Sequence, residues 1–303
     1  MGKNGGKQME VRVLRYFLAV AREESISGAA DSLHLTQPTL SRQLMDLEAE
    51  LGRKLLIRGS RKVTLTEEGV LLRKRAEEIL DLMEKTRSEL CETDEADITG
   101  DIYIGGGETD AMRLIARTAK ELQAAYPRIR YHLYSGNGED VSERLDKGLL
   151  DLGILVEPFD MKKYDSIQLP ATDIWGVLMR KDSPLAEKEY IQPEDLWELP
   201  LLTSRQTMAQ KELMAWLGRE HEELHIVSTY NLIYNASLMV EEGLGYALSL
   251  DKLINTTGDS ALCFRPLRPK LEVGLDIVWK KYQVFSPATA KFLERLQAKF
   301  PHA

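Results

Sequence analysis

From Asp101 onward, short apolar runs alternate with longer stretches of helical periodicity, and the alternation occurs twice. DIYIGGG reads as a strand, TDAMRLIARTAKELQAAYP as a helix, IRYHLYSG as a strand, EDVSERLDKGLL as a helix and DLGILVEP as a strand. After IQLPATDIWGVLMR the pattern restarts. LPLLTS, MAQKELMAWLGRE, ELHIVSTY, NLIYNASLMVEEG and LGYALSL give strand, helix, strand, helix, strand. FRPL, VGLDIVWKK and a helix in PATAKFLERLQAKF close the chain. Strands interleaved with helices predict parallel sheets with helical cover. Two such sets predict two α/β lobes and a cleft, with ligands at strand C-termini and helix N-termini.

The first 66 residues follow a different rule. In VRVLRYFLAVARE, Val13, Leu14, Phe17, Leu18 and Ala21 mark one stripe of a helix. SISGAADSLH fits a second, with Ser25 or Ser27 as N-cap and small residues that let helices approach. Thr36 is placed to cap a third, and Pro38 falls in its first turn, where a missing N–H costs nothing. With Leu40 at zero and 100° per residue, Leu44, Leu47 and Leu51 lie within about 40° of it. Pro38 and Arg42 point the other way, at about 160° and 200°. Gly52 is a natural stop. The outer face at the start of this helix is therefore Gln37, Pro38, Thr39, Ser41 and Arg42.

A helix-turn-helix lays such a face in the major groove, where amide and guanidinium groups match adenine and guanine edges. A solvated face of a three-helix bundle has the same pattern. LLIR and KVTLT, joined by a Gly-Ser turn, predict a hairpin. A hairpin there is a wing, and Arg58, Arg61 and Lys62 would line it against the duplex, although basic hairpin turns also serve solubility. Residues 1–66 hold 11 Lys/Arg against 7 Asp/Glu, a net +4, and residues 67–303 hold 29 against 41, a net −12. Only the head is suited to a polyanion.

The run LRYFLAVARE…SISGAADSLHLTQPTLSRQLMDLEAELGRKLLIRGSRKVTLTEEG resembles the winged helix-turn-helix of LysR-type transcriptional regulators. The resemblance rests on AA-x-x-L-H, QP-x-LS-x-Q, LE-x-x-LG and LT-x-x-G in that order. It implies that Gln37, Pro38, Thr39, Ser41 and Arg42 contact double-stranded DNA, with Arg61 reaching it from the wing. Leu56 departs from the family's usual Phe, a conservative core change. Asp46, toward the outer side, would repel phosphate.

A long helix follows from Thr66, with Glu67 and Glu68 at the positive end of its dipole. Leu72, Ala76, Ile79, Met83, Thr86 and Leu90 form a heptad seam, which suits either packing on its own domain or a coiled coil. The resemblance implies the second, a dimerising linker over 67–96 behind a DNA-binding domain over 9–66. It further implies a two-lobed effector domain over 97–303, built like a periplasmic binding protein. Lobe one is expected at about 97–170 plus 266–303 and lobe two at about 171–265, with a homodimer or homotetramer as the assembly. The family's ligand-lining positions fall on Glu108 and Thr109, on Ser135, Gly136, Asn137 and Gly138, and on Thr203, Ser204 and Arg205. Glu108 and Asp110 also suit capping of the helix that follows them, whereas Arg205 suits a carboxylate.

Two motifs point elsewhere. HEELH, from His221 to His225, matches a zinc-hydrolase pattern, but it falls where a helix gives way to a strand. GGGETD lacks the third glycine of a dinucleotide fingerprint, because Asp110 stands there. No metal, cofactor or enzymatic role is expected beyond a small-molecule effector. Cys91 and Cys263 read as ordinary thiols of the cytoplasm, and MGKNGGKQME as a disordered lead-in with no signal peptide. No apolar run approaches the length of a membrane span. The competing expectation is a solute-binding or catalytic α/β protein with a vestigial helical head.

Overall fold

The computed structural model describes residues 9–59, 62–90, 98–156, 159, 162–204 and 211–301. Arg61, Arg205 and Cys91 lie outside them. The chain forms two compact units, divided between Ser88 and Glu89.

The first unit contains α1 (Val11–Glu23), α2 (Ile26–Ser32), α3 (Gln37–Leu51), a hairpin of β1 (Leu56–Arg58) and β2 (Val63–Leu65), and α4 (Glu67–Glu89). The Ser25 hydroxyl caps α2 by accepting from Gly28 N at 3.1 Å. Phe17, Val20, Ala29, Leu40, Leu44 and Leu47 form the core with Leu55, Leu56 and Val63. The buried face of α1 is broader than the expected stripe: Ala19 and Val20 are buried, because α1 packs on α2, α3 and β2 at once. On α3, Leu51 is 40% exposed rather than buried, since it falls in the last turn beside the left-handed Gly52.

Glu48 takes the inward place near that end. It is 5% exposed, accepts from Leu55 N at 2.8 Å and Leu56 N at 3.2 Å, and pairs with Lys54 at 3.0 Å. Burial alone would raise its pKa, but the two backbone donors and Lys54 outweigh burial and hold it below the ordinary carboxylate value. The side chain thus satisfies the backbone where the chain leaves α3 for the wing.

α4 is joined to the same point. Thr66 Oγ1 accepts from Gly69 N at 2.9 Å, as a cap, and donates to Lys54 O at 2.7 Å. Thr66 N donates to Leu55 O at 3.0 Å. Gly69 lies so close that a Cβ there would overlap the Leu55 carbonyl oxygen, which explains the glycine of the LT-x-x-G motif. Along α4, Ala76 is buried, whereas Ile79, Leu82 and Met83 are exposed.

The second unit holds β3 (Gly100–Gly106), α5 (Met112–Ala125), β4 (Ile129–Ser135), α6 (Gly138–Asp146), β5 (Leu152–Val156), β6 (Tyr164–Arg180) and β7 (Leu201–Ser204). There follow α7 (Lys211–Leu217), β8 (Ile226–Tyr230), α8 (Ile233–Glu241), β9 (Tyr246–Leu250), β10 (Leu262–Pro266), β11 (Glu272–Lys280) and α9 (Pro287–Lys299). The sheet order is β4-β3-β5-β11-β6-β9-β7-β8, with β10 also on β6. β3, β4 and β5 pair in parallel, as do β7, β8 and β9, in line with the helices between them. The sheet is nevertheless mixed, because β6, β10 and β11 run antiparallel to their neighbours.

β6 and β11 make the crossing between lobes. β6 pairs with β11 up to Ile174, and from Trp175 it pairs with β9. Its register on β11 is broken between Gly274 and Asp276, opposite the stretch that holds Pro170, and a proline inside a sheet needs such an irregularity. One core lies in lobe one around Ile102, Ile104, Leu122, Phe292 and Leu296, and another in lobe two around Val177, Leu201, Leu213 and Leu248. HEELH is a 3-10 turn (His221–Glu223) leading to β8, with Leu224 buried and His225 exposed. No metal-holding group of His, Cys, Asp and Glu occurs among the described residues. No helix among them is long and apolar enough to cross a membrane.

Replacing Glu48 by Gln removes the charged acceptor and is expected to cost the first unit about 1 to 3 kcal/mol at neutral pH. Because the folded pKa is depressed, the wild-type advantage is present above the unfolded pKa and is lost as pH falls through the folded one. Urea unfolding at pH 7 and at pH 3 should show the gap and then its closure.

Candidate functional site

The start of α3 is presented by its first turn. Gln37, Pro38, Thr39 and Arg42 are exposed, Ser41 is half-buried, and Leu40 between them is fully buried. Thr36 and Thr39 hydroxyls bond to each other at 2.8 Å, so Thr36 caps the helix without accepting from a backbone N–H. Arg58, at the end of β1, donates from its guanidinium to Ser41 Oγ at 3.0 Å. The wing strand is thereby tied to the outer face of α3, a contact across 17 positions that sequence spacing does not reveal. Lys62 is exposed and pairs with Glu24 at 3.2 Å, and Val63 N donates to Glu24 O at 2.8 Å. A phosphate reaching Lys62 would exchange for that exposed carboxylate, at little cost.

In the second unit, a cavity of about 90 Å³ lies where the strands of the two lobes end. Glu108 and Asn137 line it from lobe one, and Ser204, Tyr230, Asn231, Ile233 and Ser249 from lobe two, with Trp175 from the crossing strand. Of the residues expected at the ligand, Glu108, Asn137 and Ser204 come together here. Thr109 instead accepts from Ala111 N at 3.0 Å, at the head of α5. Ser135, Gly136 and Gly138 flank Asn137 and do not line the cavity. Thr203 is buried and faces a smaller apolar cavity with Met214, His221 and Leu224, because β7 turns alternate residues to opposite sides.

Glu108 does not cap its own helix. Its Oε2 accepts from Ile233 N at 2.5 Å, at the first turn of α8 in the other lobe. Leu232, the N-cap residue there, supplies no side-chain bond. Asp110 stays local, with Arg113 at 2.6 Å. Asn137 caps α6 through Oδ1 to Asp140 N at 2.9 Å. Tyr230 donates to Leu248 O, and its burial pushes the phenol well above the usual range. Trp175 is 5% exposed, and its buried Nε1–H has no acceptor among the described residues.

Trp175, Tyr230, Asn231 and Ser249 escaped the sequence reading. The rule that ligands sit at strand C-termini reaches Tyr230, Asn231 and Ser249 once β8 and β9 are included. Trp175 has no sequence signal, because it lies where β6 changes partner. Two residues before it, Asp173 is 2% exposed and its Oδ2 lacks a partner among the described residues. Burial raises the Asp173 pKa above the usual value against a bond from Thr109, and nearby Asp251 adds to the rise.

A helix-turn-helix bonded to its wing, and two lobes meeting at a cavity of mixed polar and apolar lining, are the architecture of a DNA-binding protein with a ligand-binding domain. Residues 11–70 match the model of the bacterial regulatory helix-turn-helix protein, lysR family, and residues 95–301 match the LysR substrate binding domain. The chain belongs to the LysR family of transcriptional regulators; it binds DNA, carries an effector-binding domain and is not an enzyme. The match over the head removes the expectation of a vestigial one.

Among curated relatives, the Hca operon transcriptional activator HcaR of Escherichia coli (strain K12) is 28% identical over 297 residues, 96% of this chain and 98% of that protein. A hydrogen peroxide-inducible genes activator of Dickeya chrysanthemi is 33% identical over 189 residues, 62% of this chain and 61% of its own. Among solved structures, full-length CbnR complexed with its target DNA has the same fold. Its TM-score is 0.72 at 20% identity, over 96% of this chain and 99% of that one.

Asp173→Asn removes a buried acid whose ionised form is disfavoured in the fold. Because the folded pKa is raised, wild type loses stability as pH rises above the unfolded value, and the variant does not. The variant is therefore expected to be more stable at pH 7, by about 1 to 3 kcal/mol. Thermal unfolding at pH 7 and pH 4 should show this gain shrinking toward the acid end.

Proposed function

We propose that the chain reads duplex DNA with Gln37, Pro38, Thr39, Ser41 and Arg42 in the major groove. Arg58, Arg61 and Lys62 hold the wing against the backbone or minor groove. The observation that supports this most is the Arg58–Ser41 bond, which sets a wing cation beside the groove-facing turn. Gln37 and Arg42 carry the base-reading groups, and the hydroxyls with the helix N-terminus suit phosphates. CbnR, complexed with its target DNA, offers the same fold for such a role.

The regulator works as a homodimer or as a dimer of such dimers, in the cytoplasm. The support is the α4 seam, where Ile79 and Met83 are exposed at 36% and 44%. Apolar side chains at that spacing fit a second copy of the helix, and two readers make a two-fold site readable. The effector is a small molecule in the interlobe cavity. It favours one arrangement of the lobes over another and so alters how the paired heads meet DNA.

Gln37→Ala with Arg42→Ala is expected to lower affinity for the DNA upstream of its own gene by tens- to hundreds-fold, since each lost base contact is worth about 1 to 3 kcal/mol. Fluorescence anisotropy over a salt series tests this, and unchanged occupancy by a folded variant would refute the reading. Ile79→Asp with Met83→Asp is expected to yield a smaller species in sedimentation and to halve the protected length in footprinting.

A further inference from the structure

The interlobe cavity already holds one ligand-like group, and it belongs to the chain. A helix N-terminus with no side-chain cap is an anion position, because its first N–H groups point outward and the helix dipole is positive there. On α8 that position is taken by the Glu108 carboxylate, which arrives from the other lobe, 125 residues away in sequence. Glu108 is the charged residue of the described lining; the others are neutral. The same lining includes Trp175, buried, with an Nε1–H that lacks an acceptor among the described residues. A buried donor without an acceptor is costly and marks a place where a ligand oxygen would be favoured.

We propose that Glu108 is a tethered carboxylate that fills the anion position of α8 and holds the lobes together in the absence of effector. The cleft then refuses simple carboxylates and selects a ligand offering a hydrogen-bond donor to Glu108 and an acceptor to the indole of Trp175. A free carboxylate would have to displace Glu108 from Ile233 N and lie against its negative charge. A neutral amide needs neither. It can donate to Glu108 and accept from Trp175 within the same small group. The inference rests on the reading of this cavity as the effector site and names the chemistry that the site accepts.

Propionate and propionamide differ only in the group in question, so they serve as probes on the full-length protein. Ligand-observed NMR should show propionamide binding to wild type and propionate failing to bind. Glu108→Ala should reverse that preference by about tenfold or more, as the anion position falls open. Hydrogen exchange at the Ile233 amide supplies an independent readout: about tenfold faster in Glu108→Ala, and slowed again by propionate. Trp175→Phe keeps the ring but removes the donor, and should weaken propionamide severalfold. If Glu108→Ala does not fold, Glu108→Gln replaces a charged acceptor by a weaker neutral one and should speed Ile233 exchange while sparing its neighbours on α8. Equal binding of both probes to wild type would overturn the proposal. So would unchanged Ile233 exchange in the folded variants, or propionate binding that is indifferent to Glu108. None of these readouts involves DNA, so their failure is distinct from failure of the regulator reading.

Discussion

The effector unit depends on one antiparallel pairing, that of β6 with β11. Both strands pass from one lobe into the other, and their register runs from Lys280 opposite Tyr164 to Glu272 opposite Ile174. Beyond Ile174, β6 leaves β11 for β9 and β10, so a single strand of 17 residues belongs to both lobes. The lobes can therefore change their mutual angle only by bending these strands, and the cavity lies beside the change of partner. Asp173 and Trp175 flank that change, and each carries a buried polar atom without a partner among the described residues. Polar atoms left unsatisfied in this way belong to a functional centre more often than to a stability device.

The head is built on a comparable economy. Glu48 is a helical carboxylate turned inward, and it satisfies the backbone as the chain leaves α3 for β1. Arg58 at the far end of β1 returns to Ser41 on α3. Between them these bonds fix β1 to α3 at both ends of a three-residue strand, so Arg58 and the exposed first turn of α3 share one surface. If this is the surface that meets DNA, as proposed, its prior order costs little entropy on binding and leaves more of each contact for affinity.

Helix periodicity, the Ser25 cap and the stop at Gly52 were legible in the sequence, because each is local. α1 spans the stretch VRVLRYFLAVARE, and α3 runs from the residue after Thr36 to the residue before Gly52. What the sequence hid is non-local. Glu48 on a helix reads as a solvated residue, and only the path of the chain after Gly52 gives it donors. Nothing local marks the bulge around Pro170 either: β6 carries Leu169, Pro170 and Ala171 opposite the single Leu275 of β11. Glu108 was legible as a residue at the cavity and as a capping acid, but not as the cap of a helix in the other lobe. Thr203 and Ser204 show the limit of motif transfer, since adjacent residues on a strand face opposite sides and one of the two must turn inward.

The closeness of Gly69 to the Leu55 carbonyl has a mechanical meaning. α4 is a rod of 23 residues, about 34 Å long at 1.5 Å per residue, and its first turn is clamped to the root of the wing without room for a methyl group. A tilt of about 5° in such a rod carries its far end through about 3 Å. With no slack at the clamp, motion at the remote end of the rod reaches the hairpin as torque rather than being absorbed by a loose joint.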